Sequence, residues 1–296
     1  MTLDIFIPYW GDPALLKQTV ASVLAQRDPQ WRLTVIDDCY PDPSVAEWFA
    51  QITDERVRYL RNDANLGITG NYREAVRLAD EPYMMLLGSD DLLHPDYVGL
   101  IAQTIRAVPN ADVVQPGVNV IDESGAVVKP LADRVKQRLL APRRGEGVAV
   151  LRGETMATSL IRGDWLYWPS LTFRTSALKG TDFREGLPII QDLALLMDLA
   201  FAGATLVYNP TVAFSYRRHS ASASQRTILD GTRFRDERAY YRQAHELAAA
   251  RGWKRTAHAA RLRPISRLHA VTELPGVIRR PSAAGLRSTL SHVFSL

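Results

Sequence analysis

The sequence predicts an α/β fold: a mixed, mostly parallel sheet flanked by helices, followed by a helical C-terminal extension. Two observations point there. Over the first 110 residues, short apolar runs rich in β-branched and aromatic side chains alternate with segments of helical period, the pattern of strands joined by right-handed helical crossovers. Two of these runs, Leu33-Thr34-Val35-Ile36 and Tyr83-Met84-Met85-Leu86-Leu87, then end abruptly in paired acids: Asp37-Asp38 directly, and Asp90-Asp91 after Gly88-Ser89. Charge-free strands belong to sheets covered on both faces, and their carboxyl ends form the edge where ligands collect.

The elements follow in order. Residues 3–8 read as a first strand. Asp12-Pro13 is a helix start with proline in the first turn, and Leu15, Leu16, Val20, Val23 and Leu24 supply the helical apolar face. A second strand over 31–36, a short helix over 45–52, a third strand over 57–60, a helix over 69–79 with Tyr72, Val76 and Ala79 on one side, and the strand at 83–87 complete a nucleotide-binding half. After a helix over 95–108 the rhythm changes. Residues 113–121, a turn at 122–125 and Val127-Val128 suggest an antiparallel pair. Weak periodicity and many basic residues over 129–153 suggest a mobile loop. A strand at 171–173, a helix over 189–202, strands at 206–208 and 212–214, and helices from residue 228 onward close the chain, with breaks at Pro264, Pro275 and Pro281. The expected division is 1–227, itself a nucleotide-binding half (1–110) and an acceptor half (111–227), followed by a basic extension over 228–296.

At 296 residues and 46% apolar content the chain can bury a substantial core. No apolar stretch approaches the roughly 18–20 residues that span a bilayer, and the first residues lack the basic region of a signal peptide, so a cytoplasmic protein is expected. Cys39 is the only cysteine, which excludes an intramolecular disulfide and a cysteine-built zinc site. The net charge of +4 conceals an asymmetry. From Arg251 onward nine basic residues face Glu273 alone, so the first 250 residues are net acidic and the basic character belongs to the tail.

The acid pairs suggest chemistry on a nucleotide diphosphate carrying a leaving group. Such chemistry needs an acceptor for the base, a divalent cation against the diphosphate, and a general base for the nucleophile. Asp38 can accept the imide N–H of a uracil-like base, Asp91 can hold the metal, and Asp192 opens a helix after an aromatic segment. His219, in Tyr216-Arg217-Arg218-His219, could add nitrogen to the same metal. The competing reading is plain for each: a strand-end or helix-start Asp also serves as a cap or turn former, and a lone histidine as a surface residue.

The ordered set Phe6-Ile7-Pro8-Tyr9-Trp10, Ser22-Val23-Leu24-Ala25-Gln26, Val35-Ile36-Asp37-Asp38, Asn65-Leu66-Gly67 with Asn71, Ser89-Asp90-Asp91, Gln191-Asp192 and Tyr216-Arg217-Arg218-His219 resembles the family-2 glycosyltransferases of the GT-A (Rossmann-like) fold. The resemblance runs from Leu3 to about Ser224. It implies an inverting transferase that uses a nucleotide-diphosphate sugar and a divalent metal, Mn²⁺ or Mg²⁺. By position it implies that Pro8, Trp10 and Asp38 line the base, that Asp90 meets the ribose, and that Gly67 and Asn71 flank the donor. Asp91 and His219 would serve the metal, and Asp192 would be the base. Two departures stand out. The common Tyr-Asn after the first strand is Tyr9-Trp10-Gly11 here, and the usual Glu-Asp pair is Gln191-Asp192, which removes a like charge that would raise the pKa of the base.

Trp165 and Trp168 could form an aromatic floor for a sugar acceptor; the other reading is ordinary core. In the tail, Leu286, Leu290, Val293 and Phe294 form a narrow apolar stripe beside Arg279, Arg280 and Arg287, which suits a peripheral contact with the inner face of an anionic membrane, where a glycan or lipid-linked acceptor would wait. The alternatives are packing on the catalytic domain or a homodimer interface. Among rival functions, a sugar nucleotidyltransferase would carry a glycine-rich basic loop after the first strand, unlike Pro8-Tyr9-Trp10-Gly11-Asp12. A non-catalytic nucleotide-sugar sensor would lack a working base at Asp192. Nucleic acid is not an expected partner, because Trp253 is the one aromatic interleaved among the tail's basic residues, Phe294 lying beyond the last of them.

Overall fold

The computed structural model describes residues 1–130, 133, 134, 137, 140–142, 147–187, 189–218, 231–279 and 282–294. Its first half is β1 (Leu3–Tyr9), α1 (Pro13–Leu24), β2 (Trp31–Asp37), α2 (Ser44–Phe49), β3 (Val57–Arg61), α3 (Gly67–Leu78) and β4 (Tyr83–Leu86). These strands are parallel neighbours in the order β3-β2-β1-β4, with Ile5 opposite Leu33 on one side and Met85 on the other. Helix α1 starts as its residues suggest: the Asp12 carboxylate accepts the Ala14 N–H at 2.7 Å and proline occupies the first turn. Both faces of the sheet are covered, which is why the strands carry apolar side chains at successive positions. Leu3, Ile5, Ile7 and Tyr9 pack under α1, α2 and the later helix α4 (Tyr97–Ala107), whereas Phe6 points into the opposite core.

The second half adds β5 (Leu92–Leu93), β6 (Val113–Ile121), β7 (Val127–Val128), β8 (Ala149–Arg152), α5 (Gly153–Arg162), β9 (Thr172–Arg174), α6 (Thr175–Lys179), α7 (Gln191–Phe201) and β10 (Thr205–Arg217). Among the described residues the sheet has ten strands, ordered β3-β2-β1-β4-β9-β6-β10-β5, with β7 on β6 and β8 on β10. Strand β9 runs antiparallel between β4 and β6, so the sheet is mixed, while β6 and β10 lie parallel.

Three expectations are corrected here. The stretch expected to be a mobile loop over 129–153 contributes β8, and Gln137 within it donates to the Val118 carbonyl at 3.0 Å. The four residues of β8 are too few to show a period, and their partner β10 lies far along the chain. The helix over 153–162 was not expected; it opens on Gly153 at φ +52°, a left-handed position that suits glycine. The strands expected at 206–208 and 212–214 are one strand of 13 residues, β10, with a bulge between Asn209 and Val212. Gly117 permits it, because a Cβ there would stand 2.5 Å from the Pro210 carbonyl oxygen.

The extension forms α8 (Thr232–Ala250), α9 (Lys254–Leu262), α10 (Pro264–Arg279) and α11 (Ala283–Phe294). The expected boundary at 227/228, and Arg280 and Pro281, lie outside the described residues. Helices α8 and α9 are not an appendage: Tyr240, Tyr241, Ala244, Ala259 and Ala260 join the same core as α5 and α7. The hydroxyls of Thr158 and Thr256 meet at 2.7 Å across that contact. Helices α10 and α11 build a smaller cluster, in which Leu286 and Val293 pack against Phe234, Ala270 and Val277. The expected stripe on α11 is therefore split. Leu286 and Val293 face inward, and only Leu290 and Phe294 face solvent; on α10, Leu268, Val271, Pro275 and Ile278 recur at helical spacing on an exposed face.

His292 sits inside this small cluster, with Ser266 Oγ 2.6 Å from Nε2, the Phe234 carbonyl near Nδ1, and Glu237 beyond. Burial, and then the charges of Arg263, Arg238 and Arg267, lower its pKa from 6.5 to about 4. The unfolded chain therefore binds a proton that the folded one refuses. The stabilisation is fully present above 6.5 and is lost as the pH falls toward 4. Wild type should lose melting temperature between about pH 7 and about pH 5, and His292→Gln should flatten that slope, as read by differential scanning calorimetry.

Candidate active site

The crevice lies at the carboxyl ends of β1, β2 and β4. On one side Trp10 follows β1, 51% exposed, with its ring edge-on to Tyr40 at 5.3 Å, and Pro8 sits half-buried behind it. The Tyr9 hydroxyl donates to the Gly11 carbonyl at 2.7 Å and closes the turn that presents the indole. Of the first acid pair, Asp37 is structural. It accepts from the Tyr40 N–H at 2.6 Å, from Arg61 at 2.9 Å and from the Tyr59 hydroxyl. Asp38 is 2% exposed, and its Oδ1 accepts the Asn62 amide and the Leu66 N–H, both at 2.8 Å, so it also anchors the loop over 62–66. Cys39, at φ +63°, turns the chain sharply after it.

Gly67 opens α3 at φ +70°, exposed to the crevice side of that loop. Asn71 is 2% exposed, donates to the Ile36 carbonyl at 3.0 Å and faces Asn62, so it braces the loop over 62–66 against β2.

The second acid pair is built on Gly88. A Cβ there would stand 2.4 Å from Asp91 Oδ2 and 3.2 Å from Asp90 Oδ1, so only glycine lets both carboxylates fold back over the end of β4. Asp91 is 1% exposed and accepts the backbone N–H of Arg217 at 2.7 Å. Burial, and then the charge of Asp90, hold its carboxyl well above the usual range, against the opposing pull of Arg217. Arg217 was not singled out by its sequence context, yet it ties the crevice together. Its guanidinium donates to the Asp90 carbonyl at 2.7 Å, to the Asp122 and Glu123 carbonyls, and to Gln18 on α1. Arg218 points the other way, gripping the buried Asp133 with two hydrogen bonds at 2.7 and 3.0 Å. His219 lies outside the described residues.

Asp192 stands in the first turn of α7, half-buried, its Oδ1 accepting its neighbour's N–H at 2.8 Å. The preceding Gln191 is buried and accepts the Thr69 hydroxyl at 2.7 Å, which ties the start of α7 to the start of α3. Tyr72 on α3 links this base candidate to the acid pair. Burial and then the charges of Asp192, Asp91 and Asp90 push its hydroxyl above the ordinary value, with the Trp168 indole working the other way. One phenol thus stands within electrostatic reach of all three carboxylates. The sequence pattern had assigned Tyr72 only to a helical apolar face.

The aromatic segment divides. Trp165 is 2% exposed, donates to Ser159 Oγ at 3.1 Å and meets Tyr208 edge-on, so it belongs to the core and offers no open face to an acceptor. Tyr167 is also core, donating to Asp133. Trp168, half-buried, packs against the Tyr72, Phe173 and Phe183 rings at centroid distances of 5.9, 5.3 and 5.9 Å.

Among the described residues no group of three or more His, Cys, Asp or Glu side chains surrounds a common point. The donor set still fits a hard divalent cation. A buried carboxylate with an adjacent acid, both limited to oxygen donors, gains its missing counter-charge from such an ion, which can complete its shell with phosphate oxygens and water.

Residues 4–160 match the sequence profile of Glycosyl transferase family 2. The chain is 27% identical over 95 residues to the putative colanic acid biosynthesis glycosyl transferase WcaA of Escherichia coli, covering 32% of this chain and 34% of that protein. It is 24% identical over 216 residues to the succinoglycan biosynthesis protein ExoO of Rhizobium meliloti, covering 72% and 60%. An uncharacterized protein of Sinorhizobium fredii is 35% identical over 126 residues, 42% of this chain and 14% of that one. The chain thus spans well under two thirds of several of these relatives. Among solved structures, S. aureus TarS 1–349 in complex with UDP-GlcNAc superposes with a TM-score of 0.65 at 14% identity over 99% of this chain and 82% of that one, a likeness of fold. The profile match covers more than half of the chain and rests on the strands and turns that build the crevice: this protein is a member of glycosyltransferase family 2.

Proposed function

We propose that the chain moves a sugar from a nucleotide-diphosphate donor of UDP or dTDP type to a hydroxyl of a cell-envelope glycan or lipid-linked saccharide, with inversion at the anomeric carbon. What supports this reading is the family-2 profile match over the strands that carry the acid pairs, together with Asp90, Asp91 and Asp192 all lying within electrostatic reach of Tyr72. The relatives named for colanic acid and succinoglycan biosynthesis support the acceptor class, and the UDP-GlcNAc complex of TarS supports the donor class.

In this reading Trp10 stacks on the base, Asp38 accepts its imide N–H, and Asp90 meets the ribose. Asp91 holds a divalent cation, Mn²⁺ or Mg²⁺, with His219 as a further ligand. When bound, the cation offsets charge on the departing diphosphate. Asp192 takes the proton of the acceptor hydroxyl, whose oxygen attacks the anomeric carbon from the face opposite the leaving group. Gln191 adds no charge beside Asp192, so the base remains ionised to lower pH than it would next to a second carboxylate. Trp168 is the acceptor contact.

The same reading places α10 and α11 on an anionic membrane surface at the cytoplasmic face. Leu268, Val271 and Ile278 are exposed on α10, and Phe294 is exposed on α11. Arg251, Lys254, Arg255, Arg261, Arg279 and Arg287 are also exposed. Among the described residues no helix is long and apolar enough to cross a membrane, so the contact would be peripheral.

Three outcomes are expected. Asp192→Asn should retain donor affinity by calorimetry while transfer falls by roughly 10²–10⁴-fold; unchanged transfer would remove Asp192 from the mechanism, and formation of nucleotide sugar from sugar phosphate would favour a nucleotidyltransferase. Gly88→Ala should abolish Mn²⁺-dependent UDP binding with the far-ultraviolet circular dichroism intact, because the added methyl displaces Asp91. Leu268→Glu with Ile278→Glu should release the protein from phosphatidylglycerol vesicles in flotation; an unchanged partition sinks the membrane contact.

A further inference from the structure

The extension holds a second concave site, separate from the strand-end crevice and sharing no residue with it. It is a cavity of about 470 Å³ between α8, the end of α9 and α11. Arg238, Arg242, Arg261 and Arg263 line it, and Glu246 is the one carboxylate among its lining residues. Of the acids nearest in sequence, Asp236 pairs with Arg235 and Glu237 with Arg233, and the charge of Glu237 offsets part of that on Arg238.

Concentrating guanidinium groups in a concave site raises the energy of the empty protein, since the charges repel one another and the buried ones, Arg238 and Arg263, also lose water. That cost is visible. The pKa of Arg238 is lowered by burial and then by the charges of Arg242 and Arg235, and that of Arg263 by burial and then by those of Arg267 and Arg238. The backbone contributes as well. Arg263 is the residue between α9 and α10, only 4% exposed, and it adopts a left-handed conformation at φ +48° that an L-residue with a side chain reaches at a cost. An ordinary helix–helix turn would use glycine or asparagine there. Here the strained turn places a guanidinium within the cavity wall. Arg238 is fixed by a 2.7 Å hydrogen bond to the Ser288 carbonyl of α11, so its position is set before any ligand arrives. His245 is held by the Ala257 carbonyl at 2.9 Å.

We propose that this cavity is an anion site that takes a phosphomonoester or diphosphate group. Planar guanidinium forks match phosphate oxygens two at a time, and several on one wall favour a multiply charged group over chloride. The volume falls within the range of small-ligand pockets, which suits a diphosphate or a phosphorylated headgroup. The site stands independently of the transferase reading, because it uses neither the acid pairs nor a metal.

The test uses the full chain with EDTA present, which keeps metal-assisted pyrophosphate binding at the strand-end crevice out of the measurement. Sodium pyrophosphate is titrated by calorimetry and by thermal shift against sodium chloride of equal ionic strength. Saturable binding and a raised melting temperature are expected with pyrophosphate and not with chloride. Arg242 and Arg261 are both exposed, so their replacement leaves the core intact. Arg242→Glu and Arg261→Glu should each weaken pyrophosphate binding tenfold or more, and Arg106→Glu, on the exposed side of α4, should not. A wild type that responds to both salts alike, or charge-reversal variants that bind as wild type does, would overturn the site. A second arm uses vesicles of phosphatidylcholine with and without phosphatidic acid. Loss of phosphatidic-acid binding in Arg242→Glu, with Leu268→Glu still binding pyrophosphate, assigns the phosphate to a lipid headgroup. Pyrophosphate binding with no preference for phosphatidic acid assigns it to a soluble anion.

Discussion

The burial of Asp91 against the end of β10 is the constraint around which the crevice is arranged. A carboxylate with 1% exposure is costly unless its charge is met, and the protein meets it in part with the backbone N–H and the charge of Arg217. That arrangement dictates others. Residue 88 must be glycine, the guanidinium of Arg217 must reach the Asp90 carbonyl, and β10 must run far enough to bring Arg217 there. Hydrogen bonds involving a charged group contribute about 1.5–3 kcal/mol each. The contacts of Arg217 with α1, the β6–β7 turn and the acid turn therefore make this corner one of the stiffer parts of the molecule.

The two cores divide the labour. One, under α1, α2 and α4, supports the nucleotide-side strands; the other, under α3, α5 and α7, supports the helix that carries Asp192. Helices α8 and α9 belong to the second core. The C-terminal extension thus buttresses α7, the helix that carries Asp192, directly, through Tyr240 and its contact with the Ala194 carbonyl. A chain cut before α8 would expose the apolar back of α7.

How far the sequence revealed this depends on the range of each interaction. Elements set by local pattern were legible: β1, α1, β2, β4 and the β6–β7 pair stand where period, capping and turn residues put them. Elements set by distant partners were not. Strand β8 has four residues and exists because β10 passes beside it, and β10 continues through a bulge that only Gly117, on another strand, makes room for. The same rule holds in the site. Asp90, Asp91 and Asp192 announced themselves as acids at element ends, whereas the roles of Arg217 and Tyr72 depend on strands and helices meeting from opposite ends of the chain. Trp165 and Asn71 show the converse: a suggestive residue type whose environment, once folded, is core or brace.

The Thr69–Gln191 hydrogen bond carries a last consequence. It fastens the start of α3 to the start of α7, the helix that carries Asp192, and its acceptor is an amide that does not titrate. A glutamate in that seat would hold the same hydroxyl while adding a proton of its own to the balance. With glutamine, the clasp between the starts of α3 and α7 contains no ionisable group, so it holds unchanged as the medium is acidified.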